Sequence, residues 1–141
     1  AYEKCKELSQ QEPVIFGRSL GTAVAMELAI QGKGRALVLD SPLESASAMA
    51  KKILPIPLIG YVIGIKLDNL SKAAQLKCPL LVIHGSTDNI IPIAQGKKVF
   101  EACASEAKEF FELKGYGHNE ERPASVQSRL TQFMKDHGGA D

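Results

Sequence analysis

Three side chains could together do nucleophilic chemistry: Ser19, Asp88 and His118. A serine hydroxyl is a weak nucleophile at neutral pH, so it needs a base within hydrogen-bond reach. The base in turn needs an acceptor that fixes its tautomer and stabilises the imidazolium. Ser19 lies in Gly17-Arg18-Ser19-Leu20-Gly21, a G-x-S-x-G pattern between a short apolar run, Val14 to Phe16, and a helix-forming tract. A strand that turns sharply into a helix at such a serine lifts the hydroxyl clear of the sheet. The close approach of strand and helix is expected to crowd out side chains at both Gly17 and Gly21. The helix starting at Leu20 aims its free N–H groups and the positive end of its dipole at the serine, so the Leu20 N–H is the expected oxyanion donor.

Competing residues are weaker. Asp40 also ends an apolar run and is an alternative acid, although Asp before Ser41-Pro42 more often caps or turns the chain. His84, beside Gly85, reads as a satisfied core histidine. His137 falls in a terminal helix, where a solvated imidazole suits the dipole. Arg18 reads as one half of a structural ion pair, and Asn119 as a cap for the last helix.

The elements that must position these groups alternate. Helices are expected at Tyr2 to Gln11, Leu20 to Gln31, Leu43 to Lys52, Asn69 to Leu76, Ile93 to Ala104 and Arg122 to His137, the last with Val126, Leu130, Phe133 and Met134 inward. Strands are expected at Val14 to Phe16, of the fully buried kind, and at Arg35 to Leu39, Leu80 to His84 and Lys108 to Leu113. Gly138-Gly139 ends the final helix. Ile53 to Ile65 is apolar but broken by Pro55, Pro57, Gly60 and Gly64, too short for a span of ~20 residues. Within a cap-like segment at about 43–70, Ile53 to Ile65 is expected either to roof the site and supply an acyl pocket or simply to pack in the core. This alternation implies an α/β fold in one domain over residues 1–141: a parallel sheet of about four strands with helices on both faces. Ligands of such sheets bind beyond the carboxyl ends of the strands, where Ser19, Asp88 and His118 all fall.

Composition narrows the classes. The chain has 141 residues, 45% hydrophobic and 23% charged, enough for one domain with a sizeable core. A formal net charge of +1, without a basic stripe, argues against nucleic acid as a partner. Cys5, Cys78 and Cys103 are widely spaced, which suggests neither a disulfide framework nor a metal site, and no cofactor is expected. A reducing, cytoplasmic setting follows. The start, Ala1-Tyr2-Glu3-Lys4, has no signal pattern and reads as a chain joined partway along.

The chain resembles the α/β-hydrolase superfamily, in particular its small serine hydrolases with a G-R-S-L-G elbow. The matching segments are residues 14–25 (VIFGRSLGTAVA), residues 79–92 (PLLVIHGSTDNIIP) and residues 115–119 (GYGHN). The order Ser, Asp, His is the superfamily's order. The resemblance implies a triad of Ser19, Asp88 and His118, with strands like the fold's fifth to eighth. It also implies action on carboxylic ester or thioester (acyl) substrates, including lysophospholipids, through an acyl-enzyme, or as an alternative on peptides in the aminopeptidase or oligopeptidase manner. Such enzymes carry an earlier block of strands, whose third-strand loop gives the second oxyanion donor. Without that block the Ser19 strand has an open edge, and the expectation is that it pairs with a second copy, giving a homodimer, or with a partner, or that the chain is the C-terminal part of a longer enzyme. A catalytically incomplete fragment is then the other reading.

Overall fold

The computed structural model describes residues 2–9, 11–45 and 68–137. Residues 46–67, which make up most of the helix expected at Leu43 to Lys52 and of the cap-like segment at about 43–70, and Gly138-Gly139 lie outside the described residues. The elements in chain order are α1 (Tyr2–Ser9), β1 (Val14–Arg18), α2 (Gly21–Ile30), β2 (Ala36–Asp40), α3 (Asn69–Ala73), β3 (Leu80–Gly85), α4 (Ile93–Ala102), β4 (Lys108–Leu113) and α5 (Ala124–His137). The strands form a parallel sheet of 4 in the order β1-β2-β3-β4.

Period-two alternation of the strand side chains splits the core in two. Ile15, Leu37, Leu39, Leu80 and Val82 pack with Ala25, Met26 and Ala29 of α2 and Val99 of α4 on one face. Val38, Leu81, Ile83 and Leu113 pack with Val126 and Phe133 of α5 on the other. β2 and β3 are buried at every position because both faces are covered.

β1 departs from the fully buried expectation. It is a terminal strand of the described sheet, buried at alternate positions only, and Phe16 is 54% exposed. Its outer edge is open among the described residues, and Leu20 and Val24 beside it are also exposed. α5 differs too: Val126 and Phe133 are buried, but Met134 is exposed, since one residue past Phe133 the helix has turned by about 100°. Cys78 and Cys103 are free thiols, Cys103 pushed up to about 11 by burial. Among the described residues no helix is long and apolar enough to cross a membrane.

Candidate active site

β1 ends in a strained turn. Ser19 has φ +52°, a left-handed conformation a serine adopts only when its surroundings impose it. Here the Ser19 N–H donates to the Asp40 carbonyl (2.9 Å), and its own carbonyl accepts from the Thr22 N–H (3.0 Å) and Thr22 Oγ1 (2.6 Å). The buried Asn69 side chain in turn donates to Thr22 Oγ1 (3.0 Å) and to the Leu43 carbonyl (2.8 Å). Neither Thr22 nor Asn69 is picked out by the sequence reading; a buried threonine on an otherwise apolar, small-residue helix face was the available signal.

The two elbow glycines differ. A Cβ on Gly17 would lie 2.6 Å from Ala25 Cβ and 2.7 Å from the Gly21 carbonyl oxygen, so glycine alone lets α2 settle on β1. A Cβ on Gly21 would meet nothing within 4 Å. The expectation of crowding at both is corrected: the helix crosses over Gly17, while the Gly21 position faces outward from the first turn. Leu20, the N-cap of α2, has helical φ and ψ (−57°, −33°), so its N–H is among those that have no preceding helix carbonyl to bind.

Two further loops converge on Ser19. β3 leads into Ser86-Thr87-Asp88, where one Asp88 oxygen accepts from the Ile90 (3.0 Å) and Ile91 (2.8 Å) N–H groups. β4 leads into the loop carrying His118. Asp88 Oδ2 lies 2.7 Å from His118 Nδ1, and His118 Nε2 lies 3.0 Å from Ser19 Oγ. The sequence-derived set of three is thus brought into one hydrogen-bonded line. Burial alone would raise the Asp88 carboxyl, but the bonds from His118 and Ile91 outweigh it and hold the group below its ordinary value. Asp88 is therefore an anion suited to orienting the imidazole.

The remaining candidates sort differently. Asp40 does not reach the His118 ring; it is 3% exposed and paired with Arg122, whose Nη2 and Nε donate to its two oxygens (2.7 and 3.2 Å). Its expected role as cap or turn residue is corrected to a buried ion pair, in which Arg18 Nε also takes part at 3.5 Å. Arg122 is a site neighbour the sequence does not single out.

His84 is fully buried, with Nε2 2.8 Å from the Ile91 carbonyl. Its Nδ1 has no partner, because Gly96 of α4 packs against that side so closely that a Cβ there would lie 2.2 Å away. It is a core histidine only half satisfied, and burial pushes its imidazolium below the ordinary value. Asn119 lies five residues ahead of α5 and is exposed, so it does not cap that helix. The His137 ring meets Phe133 with centroids 4.9 Å apart and the planes tilted by 58°.

A cavity of about 300 Å³ opens on the α5 side, lined in part by Phe16, Arg18, Asp40, Ile83, Arg122 and Val126. None of Ser19, Asp88 or His118 lines it, so it is not the space in front of the nucleophile. The segment expected to supply an acyl pocket lies outside the described residues.

No family model matches the chain. Among curated proteins it is 31% identical over 126 residues to the α/β hydrolase domain-containing protein aho-3 of Caenorhabditis elegans, covering 89% of this chain and 36% of that protein. It is 31% identical over 122 residues to human α/β hydrolase domain-containing protein 17B, covering 86% of this chain and 41% of that protein. The chain thus spans well under half the length of these relatives. Among solved structures it superposes on an esterase of Pyrococcus furiosus with TM-score 0.75 at 18% identity, covering 98% of this chain and 59% of that one. It also superposes on an esterase domain from Rhodothermus marinus with TM-score 0.74 at 22% identity, covering 96% and 66%. In its strand order and its elbow the chain has the α/β-hydrolase fold, and over nearly its whole length it is similar to these α/β hydrolase domain-containing proteins.

Proposed function

We propose that the chain carries the catalytic groups of a serine hydrolase that cleaves carboxylic esters or thioesters. The observation that carries this reading is the line Ser19 Oγ, His118 Nε2, His118 Nδ1, Asp88 Oδ2, with gaps of 3.0 and 2.7 Å. As Ser19 Oγ bonds to the substrate carbonyl carbon, its proton passes to His118 Nε2. Asp88 stabilises the imidazolium and keeps Nδ1 protonated throughout. The Leu20 N–H faces the oxyanion, an interaction of the kind whose loss costs about 10² to 10³ in kcat. His118 then gives its proton to the leaving alkoxide or thiolate, leaving an acyl group on Ser19. Water, deprotonated by His118, attacks the acyl carbon; the bond to Ser19 Oγ breaks to release the acid, and His118 returns the proton to Ser19 Oγ.

The strained φ at Ser19 supports the same reading, since such strain clusters at functional sites, although Ser41 beside the Asp40–Arg122 pair shares it. Hydrolysis of a p-nitrophenyl ester and of an acyl thioester, followed beside Ser19→Ala, tests the proposal. Turnover of either substrate that disappears with Ser19→Ala is expected; turnover that survives it contradicts the role given to Ser19.

A further inference from the structure

The loop between β4 and α5 carries His118 on backbone that belongs to no helix or strand, so its carbonyls need donors from elsewhere. Two arginines supply them. Arg18 Nη2 donates to the His118 carbonyl (2.7 Å), and Arg122 Nη1 donates to the Gly117 carbonyl (3.0 Å). Both guanidiniums also hold the same carboxylate, Asp40, Arg122 as a fork on both oxygens and Arg18 Nε at 3.5 Å from Oδ2. Asp40 stands opposite Arg18 in the β1–β2 register, and its own carbonyl accepts the Ser19 N–H. One residue therefore touches both arms of the site: its main chain holds the nucleophile, and its side chain holds the two cations that grip the histidine loop.

We propose that Asp40, acting through Arg18 and Arg122, is a positioning residue that sets the separation of Ser19 and His118. This inference rests on the hydrolase reading. The arrangement suits the task. Arg18 immediately precedes Ser19, so any shift of the elbow is passed to the histidine loop, and the pair moves together. A guanidinium can bridge a carboxylate and a carbonyl at once because its donors are fixed in a plane, whereas a lysine ammonium is a point charge on a flexible stem. Only 4% of the Asp40 side chain and 12% of the Arg122 side chain are exposed, so the hub is shielded from competing water. Arg18, with 42% of its side chain exposed, is the member that can be changed with least disturbance to the core.

The test compares the full chain with Arg18→Gln and Arg18→Lys. Two readouts are followed: the rate of phosphonylation of Ser19 by a fluorophosphonate, and the low-field proton resonance of His118 Nδ1–H against Asp88. Arg18→Gln is expected to slow labelling by about 10- to 100-fold, the penalty of displacing reacting groups by about 1 Å, and to shift or broaden the resonance. Arg18→Lys keeps a cation for Asp40 but replaces the rigid planar fork with a single ammonium on a flexible stem, so it is expected to fall between. Labelling at the parent rate in Arg18→Gln with an unmoved resonance overturns the proposal. Should the parent chain show the resonance but fail to react with the probe, the hydrolase reading falls, and the resonance in Arg18→Gln still decides the positioning role. Should Arg18→Gln fail to fold, Arg18→Lys decides: slowed labelling supports the clamp, and the parent rate overturns it.

Discussion

A Cβ placed on Gly85 would lie 2.2 Å from the carbonyl oxygen of Tyr116, a backbone atom that cannot swing aside. This contact is where the acid loop and the histidine loop meet. The Thr87 N–H donates to the same Tyr116 carbonyl (3.1 Å), and Ser86 Oγ accepts from the Gly115 N–H (2.8 Å). Asp88 and His118 sit directly beyond these ties, so the 2.7 Å bond between them depends on how closely the two loops approach.

Gly85→Ala is accordingly expected to push the loops apart. Overpacking of this kind costs about 1–3 kcal/mol, and the displacement should cut activity by at least tenfold. Urea unfolding gives the first quantity and the ester assay the second. Full activity in Gly85→Ala would contradict the part given to this contact.

The elbow glycines separate in the same manner. Gly17→Ala is expected to destabilise the fold by about 1–3 kcal/mol, because Ala25 and the first turn of α2 must retreat. Gly21→Ala fills open space at the start of the same helix and is expected to be neutral, or stabilising by up to about 1 kcal/mol, through the restricted unfolded chain. Thermal unfolding of the two variants side by side checks the pair, and equal losses would contradict it.

His84 ties stability to pH. Its pKa is lowered by burial from an ordinary value of 6.5, so the folded state prefers the neutral ring and the unfolded chain takes up protons first. The stability due to the neutral ring is fully present above pH 6.5 and is lost as the pH falls below it toward the folded value. Asp88, also lowered, contributes stability present above its ordinary 3.8 and lost at still lower pH. His84→Gln, which retains a donor for the Ile91 carbonyl, is expected to flatten the decline just below pH 6.5 and to leave the more acidic one. Urea midpoints across that range provide the measurement, and parallel curves for the two proteins would contradict the assignment.

Much of this was legible in the sequence because the signals were local. Apolar runs mark β1 to β3 and an alternating one marks β4; Gly17-Arg18-Ser19 and Gly85 to Asp88 fall at the ends of β1 and β3, and Gly117-His118 follows β4 after Lys114-Gly115-Tyr116. The strand ends were less clear: β1 and β2 run on to Arg18 and Asp40, past the last apolar residue, because the ladder is made by backbone and does not stop where hydrophobicity does. The Asp40–Arg122 pair was not legible. Its partners lie 82 residues apart, and nothing in either neighbourhood distinguishes a buried ion pair from a turn acid and a surface arginine. Phe16 reads as a core strand residue by composition, and its exposure follows from the place of β1 at the border of the described sheet.

The most direct test of the central proposal, that Ser19 is a nucleophile activated by His118, is intact-mass labelling of the 141-residue chain with a fluorophosphonate beside Ser19→Ala and His118→Ala. The expected result is a single phosphonyl adduct on the parent chain, absent from both variants. A folded parent chain that takes up no adduct, or an adduct that persists in Ser19→Ala, would contradict it.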